Sequence, residues 1–218
     1  MSIEPTKIDA ELAQYIRDHA SGRDEALKKV EEKTAELGSL VMMQTAPEQA
    51  AFLEMLVRLV GAKQAIEVGT FTGYGAIRIA RGLEDGGRLL CCELDPERAE
   101  MARENVDTAG IGDRVEIEVG PALETIRALP KEPTFDFAYL DADKTGYPDY
   151  YEELIPRLTP GGLLAIDNVF MAGRILQGED EGTKAVAGLN DRIMEDDRVD
   201  SVMLGMADGL TLARRRES

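Results

Sequence analysis

Two apolar runs, FDFAYLDADK at residues 135–144 and GGLLAIDNV at residues 161–169, lead into acidic side chains, joined in the second by an amide. They bring Asp141, Asp143, Asp167 and Asn168 to strand ends in a chain that is already acidic. Carboxylates gathered in this way repel one another unless something positive sits among them. Asp141, Asp167 and Asn168 offer two carboxylates and an amide carbonyl, hard oxygen donors suited to Mg²⁺, which would relieve that repulsion. Taken singly, Asp and Asn at strand ends more often cap turns and helices. As a set on neighbouring strand ends beside a nucleoside site, they read as a metal centre. Lys144, three residues beyond Asp141, is spaced to serve as a general base on a substrate hydroxyl, the alternative being a solvated lysine paired with Asp143.

A second constellation lies upstream, in IEVGTFTGYGAIRIA at residues 66–80. Gly69 and Gly73 follow a strand and precede a helix, giving a tight turn whose backbone can approach a ligand closely. Glu93 ends the next strand, where a carboxylate can accept hydrogen bonds from ribose hydroxyls. A nucleoside-containing cofactor is expected. The glycine spacing is not G-x-G-x-x-G, which counts against a nicotinamide-dependent oxidoreductase, the alternative from a different enzyme class.

These residues need elements to carry them, and the chain alternates short apolar runs with helical patterns. QAIEV precedes YGAIRIARGL, RLLCCEL precedes PERAEMARENVDTAG, and RVEIEV precedes PALETIRAL. FDFAYL then leads to YPDYYEELIPRL, and GLLAIDNV to a helix near residues 181–196. The rhythm predicts an α/β fold with a doubly wound, mostly parallel sheet covered by helices on both faces. RVDSVMLG and GLTLARRR, around Asp208-Gly209, predict a terminal antiparallel hairpin. Phe52, Leu53, Leu56, Leu59 and Val60 recur at helical spacing after Pro47. Two amphipathic helices, broken near Ser21-Gly22, occupy residues 1–40 as a cap or dimer contact ahead of a core at 41–218, all in one domain. In such sheets ligands bind outside the carboxyl ends of the strands, which is where the candidate residues fall. Tyr147 is expected to face the site, the N-terminal helices and the segment 170–182 to wall the acceptor, and Asp196-Asp197 to be a solvated helix end.

Composition removes other classes. The 218 residues carry 25 Lys and Arg against 42 Asp and Glu, a formal charge of −17, which disfavours nucleic acid and anionic membranes as partners. The only histidine, His19, lies in a polar segment, and no G-x-S-x-G occurs, so a Ser-His-Asp hydrolase or a His-ligated zinc site is not expected. Cys91 and Cys92 are adjacent, unsuited to an ordinary disulfide, and fit a reducing cytoplasm.

The sequence resembles the divalent-metal-dependent O-methyltransferases that include caffeoyl-CoA and catechol O-methyltransferases. The likeness runs in order through MQTAPEQAAFL, IEVGTFTGYGAIRIA, Glu93-Leu94-Asp95-Pro96, Gly120-Pro121-Ala122, LDADKTGYPDYYE, IDNV and DGLTLARR. It implies a seven-stranded Rossmann-like fold that uses S-adenosylmethionine and Mg²⁺, or another divalent cation such as Mn²⁺ or Ca²⁺. It also implies methylation of one of two vicinal hydroxyls on a small phenolic substrate, and a homodimer. By position, Thr45, Glu67, Gly69, Thr70, Gly75, Glu93, Ala122 and Asp141 match cofactor contacts, with Glu93 on the ribose and Ala122 beside the adenine. Asp141, Asp167 and Asn168 match the metal ligands, and Lys144 and Asp141 the catalytic pair. Two positions depart from the pattern. Gly75 stands where a serine often meets the methionine carboxylate, and Phe170-Met171 where a tryptophan commonly forms part of the substrate wall.

Overall fold

The structure, a computed structural model, describes residues 6–217. Seven strands form one sheet: β1 (Gln64–Val68), β2 (Arg88–Glu93), β3 (Val115–Val119), β4 (Phe135–Leu140), β5 (Leu158–Asp167), β6 (Val199–Leu204) and β7 (Leu210–Arg215). Their spatial order is β3-β2-β1-β4-β5-β7-β6, with β3 through β5 parallel and β7 antiparallel to both β5 and β6. The sequence order therefore reverses between β1 and β4, so their carboxyl ends open onto the switch point where such sheets take ligands.

Among the described residues eight α-helices cover the sheet. They are α1 (Ala10–Asp18), α2 (Glu25–Ala35), α3 (Pro47–Val60), α4 (Tyr74–Gly82), α5 (Pro96–Thr108), α6 (Ala122–Ala128), α7 (Tyr147–Leu154) and α8 (Glu181–Glu195). One core gathers Leu27, Leu53, Val57, Ile77, Ile79 and Ala102 from α2 through α5 against one sheet face. A second gathers Ile126, Tyr151, Leu154, Val186 and Leu189 from α6 through α8 against the other. Coverage on both faces explains why β1 is buried along nearly its whole length and shows no polar alternation. Cys91 and Cys92 are buried free thiols in β2.

Helix boundaries follow local chemistry. Pro47 sits in the first turn of α3 and Pro96 in that of α5, where a missing N–H removes no helical hydrogen bond. Asp9, Asp24, Asp95 and Asp180 cap α1, α2, α5 and α8 by accepting from backbone N–H groups two or three residues on. Leu59, expected inside from its helical phase, is 76% exposed, because α3 directs Leu53, Leu56 and Val57 to the core and Leu59 away from it.

The N-terminal helices are fastened to the core. Arg78 of α4 is almost wholly buried, pairs with Glu54 at 2.8 Å, and donates to the carbonyls of Ser21 and Gly22 at 2.8 and 3.0 Å. The turn between α1 and α2 is thereby fixed on α4. The Tyr74 hydroxyl donates to Glu31 at 3.0 Å, and the Thr34 and Thr72 hydroxyls lie 2.8 Å apart, so α2 also buttresses the glycine loop. Among the described residues no helix is long and apolar enough to cross a membrane.

Candidate active site

A cavity of about 840 Å³ opens at the carboxyl ends of β1, β2, β4 and β5. That volume lies in the range expected of small-molecule sites. Its wall contains ten of the positions singled out from sequence: Thr45, Gly69, Thr70, Gly75, Glu93, Ala122, Asp141, Lys144, Asp167 and Asn168. Gln44, Gln49, Arg98, Tyr150 and Asp208 join them.

Gly69 follows β1 at φ +94°, in the left-handed region, and a Cβ there would collide with the Asp141 carbonyl. Only glycine lets the two central strand ends lie this close. The loop is also braced by Asn105, whose amide donates to the Thr72 carbonyl at 2.9 Å. Glu93 accepts from the Phe71 N–H at 2.7 Å and the Asp95 N–H at 3.0 Å, so its carboxylate has a fixed direction at the cavity edge. Phe71 itself adopts φ +52°, a conformation a bulky residue holds only when its surroundings impose it.

The acidic end is more tightly organised. Lys144 Nζ donates to Asp141 Oδ1 at 2.8 Å and to the Tyr147 hydroxyl at 2.6 Å. Tyr147 in turn donates to the Asp167 carbonyl at 3.1 Å. Asp167 Oδ2 accepts from the Tyr139 hydroxyl at 2.7 Å, Tyr139 accepts from Gln49 at 3.2 Å, and Asp167 Oδ1 accepts from the Asn168 N–H at 2.6 Å. Burial, reinforced by the neighbouring Asp141 charge, pushes the Asp167 carboxyl up to about 6. Burial likewise raises the Tyr139 and Tyr147 phenols well above their ordinary value, so both remain hydrogen-bond donors. Asn168 has φ +54°, which asparagine tolerates better than most residues, and its side-chain amide makes no hydrogen bond to a described residue.

This donor set fits a divalent cation. Two carboxylates and a free amide oxygen line one space, and the carboxyl of Asp167 resists ionisation chiefly because it is buried, with Asp141 beside it adding to the effect. The opposite wall fits a polar, nucleoside-bearing molecule. Among the described residues the buried Gln44 side-chain oxygen finds no hydrogen-bond partner, an arrangement that costs stability until a ligand supplies one.

Several expectations are placed differently. Glu67 does not line the cavity: it is buried beneath the glycine loop, with Cys91 Sγ donating to it at 3.5 Å and Oε1 only 2.5 Å from where a Cβ on Gly75 would sit. Tyr147 is buried below the site as the support of Lys144, while Tyr150 reaches the cavity and donates to Asp143 at 2.7 Å. The segment 170–182 does not form the wall, since the Phe170 ring packs on Gly209 of the terminal hairpin. Ala207 and Asp208 of that hairpin, with Val41, Met42, Met43 and Arg17, supply the wall instead. Asp196 is not a bare helix end, because Tyr151 donates to it at 2.9 Å and Arg198 pairs with it. Tyr139, Gln44, Gln49 and Arg17 went unnoticed in the sequence. Only Tyr139 carried a cue, as a phenol inside an otherwise apolar strand.

The cavity thus joins a glycine-loop end to an oxygen-rich end at the carboxyl edge of the sheet. Residues 17–216 match the family model described as O-methyltransferase. The chain is 32% identical to a probable caffeoyl-CoA O-methyltransferase 1 of Dictyostelium discoideum, over 97% of each protein. It is 37% identical to the catechol O-methyltransferase domain-containing protein 1 of Mus musculus, over 94% of this chain and 80% of that one. The crystal structure of an O-methyltransferase from Bacillus cereus in complex with SAH superposes with a TM-score of 0.88 at 31% identity, over 94% of this chain and 97% of that one. The chain belongs to the S-adenosylmethionine-dependent O-methyltransferase family, a membership that sets aside the nicotinamide-dependent alternative.

Proposed function

We propose that the protein transfers a methyl group from S-adenosylmethionine to one hydroxyl of a vicinal diphenol of the catechol or caffeoyl type, with Mg²⁺ or a similar divalent cation held by Asp141, Asp167 and Asn168. The observation that carries this reading is the convergence of three oxygen donors and Lys144 on the cavity that Glu93 and the glycine loop also border. A sulfonium methyl is the electrophile the cofactor supplies, and the cation, when bound, would gather both oxygens of a diphenol and acidify one of them.

The chain's own residues do the positioning. Glu93, aimed by the Phe71 and Asp95 N–H groups, accepts from the ribose hydroxyls, and Ala122 borders the adenine. Thr45, Gly69, Thr70 and Gly75 frame the amino-acid half, where Gly69 allows the closest backbone approach. Tyr139 and the Asn168 N–H hold the two Asp167 oxygens in fixed directions, and Asp141 is held by Lys144. Lys144 Nζ, braced by Tyr147, receives the proton of the attacking hydroxyl after first releasing one of its own to solvent. Fixing acceptor and donor at attack distance is worth on the order of 7 to 11 kcal/mol of the barrier. Support comes from the relatives, whose names carry caffeoyl-CoA and catechol O-methyltransferase, and from the Bacillus cereus structure with SAH.

The test is transfer of labelled methyl from S-adenosylmethionine to a panel of vicinal diphenols and their monomethyl ethers, with Mg²⁺ and with EDTA. The expected result is label on diphenols only, abolished by EDTA and restored by excess Mg²⁺. Transfer that survives EDTA would remove the cation from the account, and absence of transfer to every diphenol would remove the acceptor class.

A further inference from the structure

Arg17 lies in the last turn of α1, half-buried, on the wall of the cavity. Among the described residues its guanidinium Nε and Nη2 reach only Oε1 of Gln14, one turn earlier on the same helix, at 3.3 and 2.9 Å. Among the described residues every other arginine meets a carboxylate or a backbone carbonyl. In a chain with 42 acidic side chains against 25 basic ones, an arginine left without either is unusual. The other two cations at the cavity are engaged: Lys144 with Asp141 at 2.8 Å, and Arg98 with Asp95 at 3.7 Å.

We infer that Arg17 is a carboxylate anchor, the cation that receives an anionic end of a ligand in this cavity. The planar guanidinium fork matches a carboxylate in two parallel hydrogen bonds. Arg17 shares a smaller recess with Pro47 and Tyr74, the first residues of α3 and α4. That places it at the end of the cavity where Thr45 and Gly75 meet, since a Cβ on Gly75 would lie 3.4 Å from the Thr45 hydroxyl. Gly75 has no side-chain donor to offer an anion there, and Arg17 has five N–H groups. Asp9 caps the first turn of the helix that presents it, and Arg78 holds the Ser21 and Gly22 carbonyls a few residues beyond its end.

The inference rests on the cavity being the ligand site proposed above. Two ligands of a methyl transfer to phenols can carry the carboxylate: the amino-acid end of the cofactor, or a phenolic acid such as caffeate. The experiment has one arm for each, using wild type, Arg17→Gln and Arg17→Lys. Calorimetry measures binding of S-adenosylhomocysteine and of its decarboxylated analogue. Steady-state kinetics compares caffeic acid with its methyl ester.

In at least one arm, Arg17→Gln should weaken the carboxylate-bearing member about tenfold, as Kd or KM, leave its carboxylate-free partner unchanged, and be largely rescued by Arg17→Lys. The arm that responds names the source of the carboxylate. No effect in either arm, or equal losses for the charged and uncharged members of both pairs, would overturn the inference. The calorimetric arm needs no turnover, so it stands even if no diphenol accepts a methyl group.

Discussion

Glutamine in place of Glu67 should change how the stability of the ligand-free protein depends on pH. Glu67 is 1% exposed in the central strand β1, under the glycine loop, with no cation within ion-pair distance among the described residues. Burial is the largest cause of its raised carboxyl pKa; hydrogen bonding from Thr70 and Cys91 pulls the other way, the Asp141 and Glu93 charges add to the rise, and the net change is from 4.5 to about 8. Below about pH 4.5 the group is protonated in both folded and unfolded chains and contributes no pH dependence. Between about 4.5 and about 8 the unfolded chain releases this proton while the folded one keeps it, so the folded state loses stability as pH rises. At about 1.4 kcal/mol per pH unit, the loss from this one group between pH 5 and pH 8 is on the order of 4 kcal/mol. That is a large part of a typical domain's 5–15 kcal/mol. Glutamine keeps the shape and an acceptor for Cys91 but has nothing to titrate. Urea unfolding of wild type and Glu67→Gln at pH 5, 6, 7 and 8 measures the difference directly. The stability of the variant relative to wild type should climb steadily across that series. A constant difference from pH 5 to pH 8 would mean that the buried carboxylate is already ionised, and the argument from desolvation would fail.

Two further substitutions probe the oxygen-rich end. Lys144→Met removes the proposed base and should lower kcat by about 10² to 10⁴ while leaving S-adenosylhomocysteine affinity unchanged, as separate turnover and calorimetric measurements would show. Tyr139→Phe deletes the hydroxyl that holds Asp167 Oδ2 and should weaken Mn²⁺ binding about 10- to 100-fold, read by calorimetry, with the fold intact by circular dichroism.

Much of this architecture is legible in the sequence because parallel strands buried on both faces read as continuous apolar runs. QAIEV, RLLCCEL and FDFAYL mark β1, β2 and β4 to within a residue, and residues at or just past their ends line the cavity. The hairpin around Asp208-Gly209 is equally plain, since Gly209, which takes φ +84°, stands at the turn between β6 and β7. Continuous burial is also what hides the orientation of Glu67, because a strand covered on both faces gives no alternation to show which way a side chain points. Tyr147 and Tyr150 sit one turn apart on α7, and their roles depend on where the preceding turn, capped by Asp143, sets the helix phase. Arg17 and Ala207-Asp208 reach the cavity from opposite ends of the chain through packing of α1 on α3 and the reach of the hairpin, neither of which leaves a local pattern. The unpartnered Gln44 oxygen is likewise a product of packing, visible only once its surroundings are closed.

The account turns on a divalent cation held by Asp141, Asp167 and Asn168, and direct binding tests it without any assumption about the acceptor. Electron paramagnetic resonance titration with Mn²⁺ should show one tight site per chain in the wild type. That site should be lost in both Asp141→Ala and Asp167→Ala and weakened in Asn168→Ala. Equal Mn²⁺ binding in the wild type and the two aspartate variants would contradict the central claim.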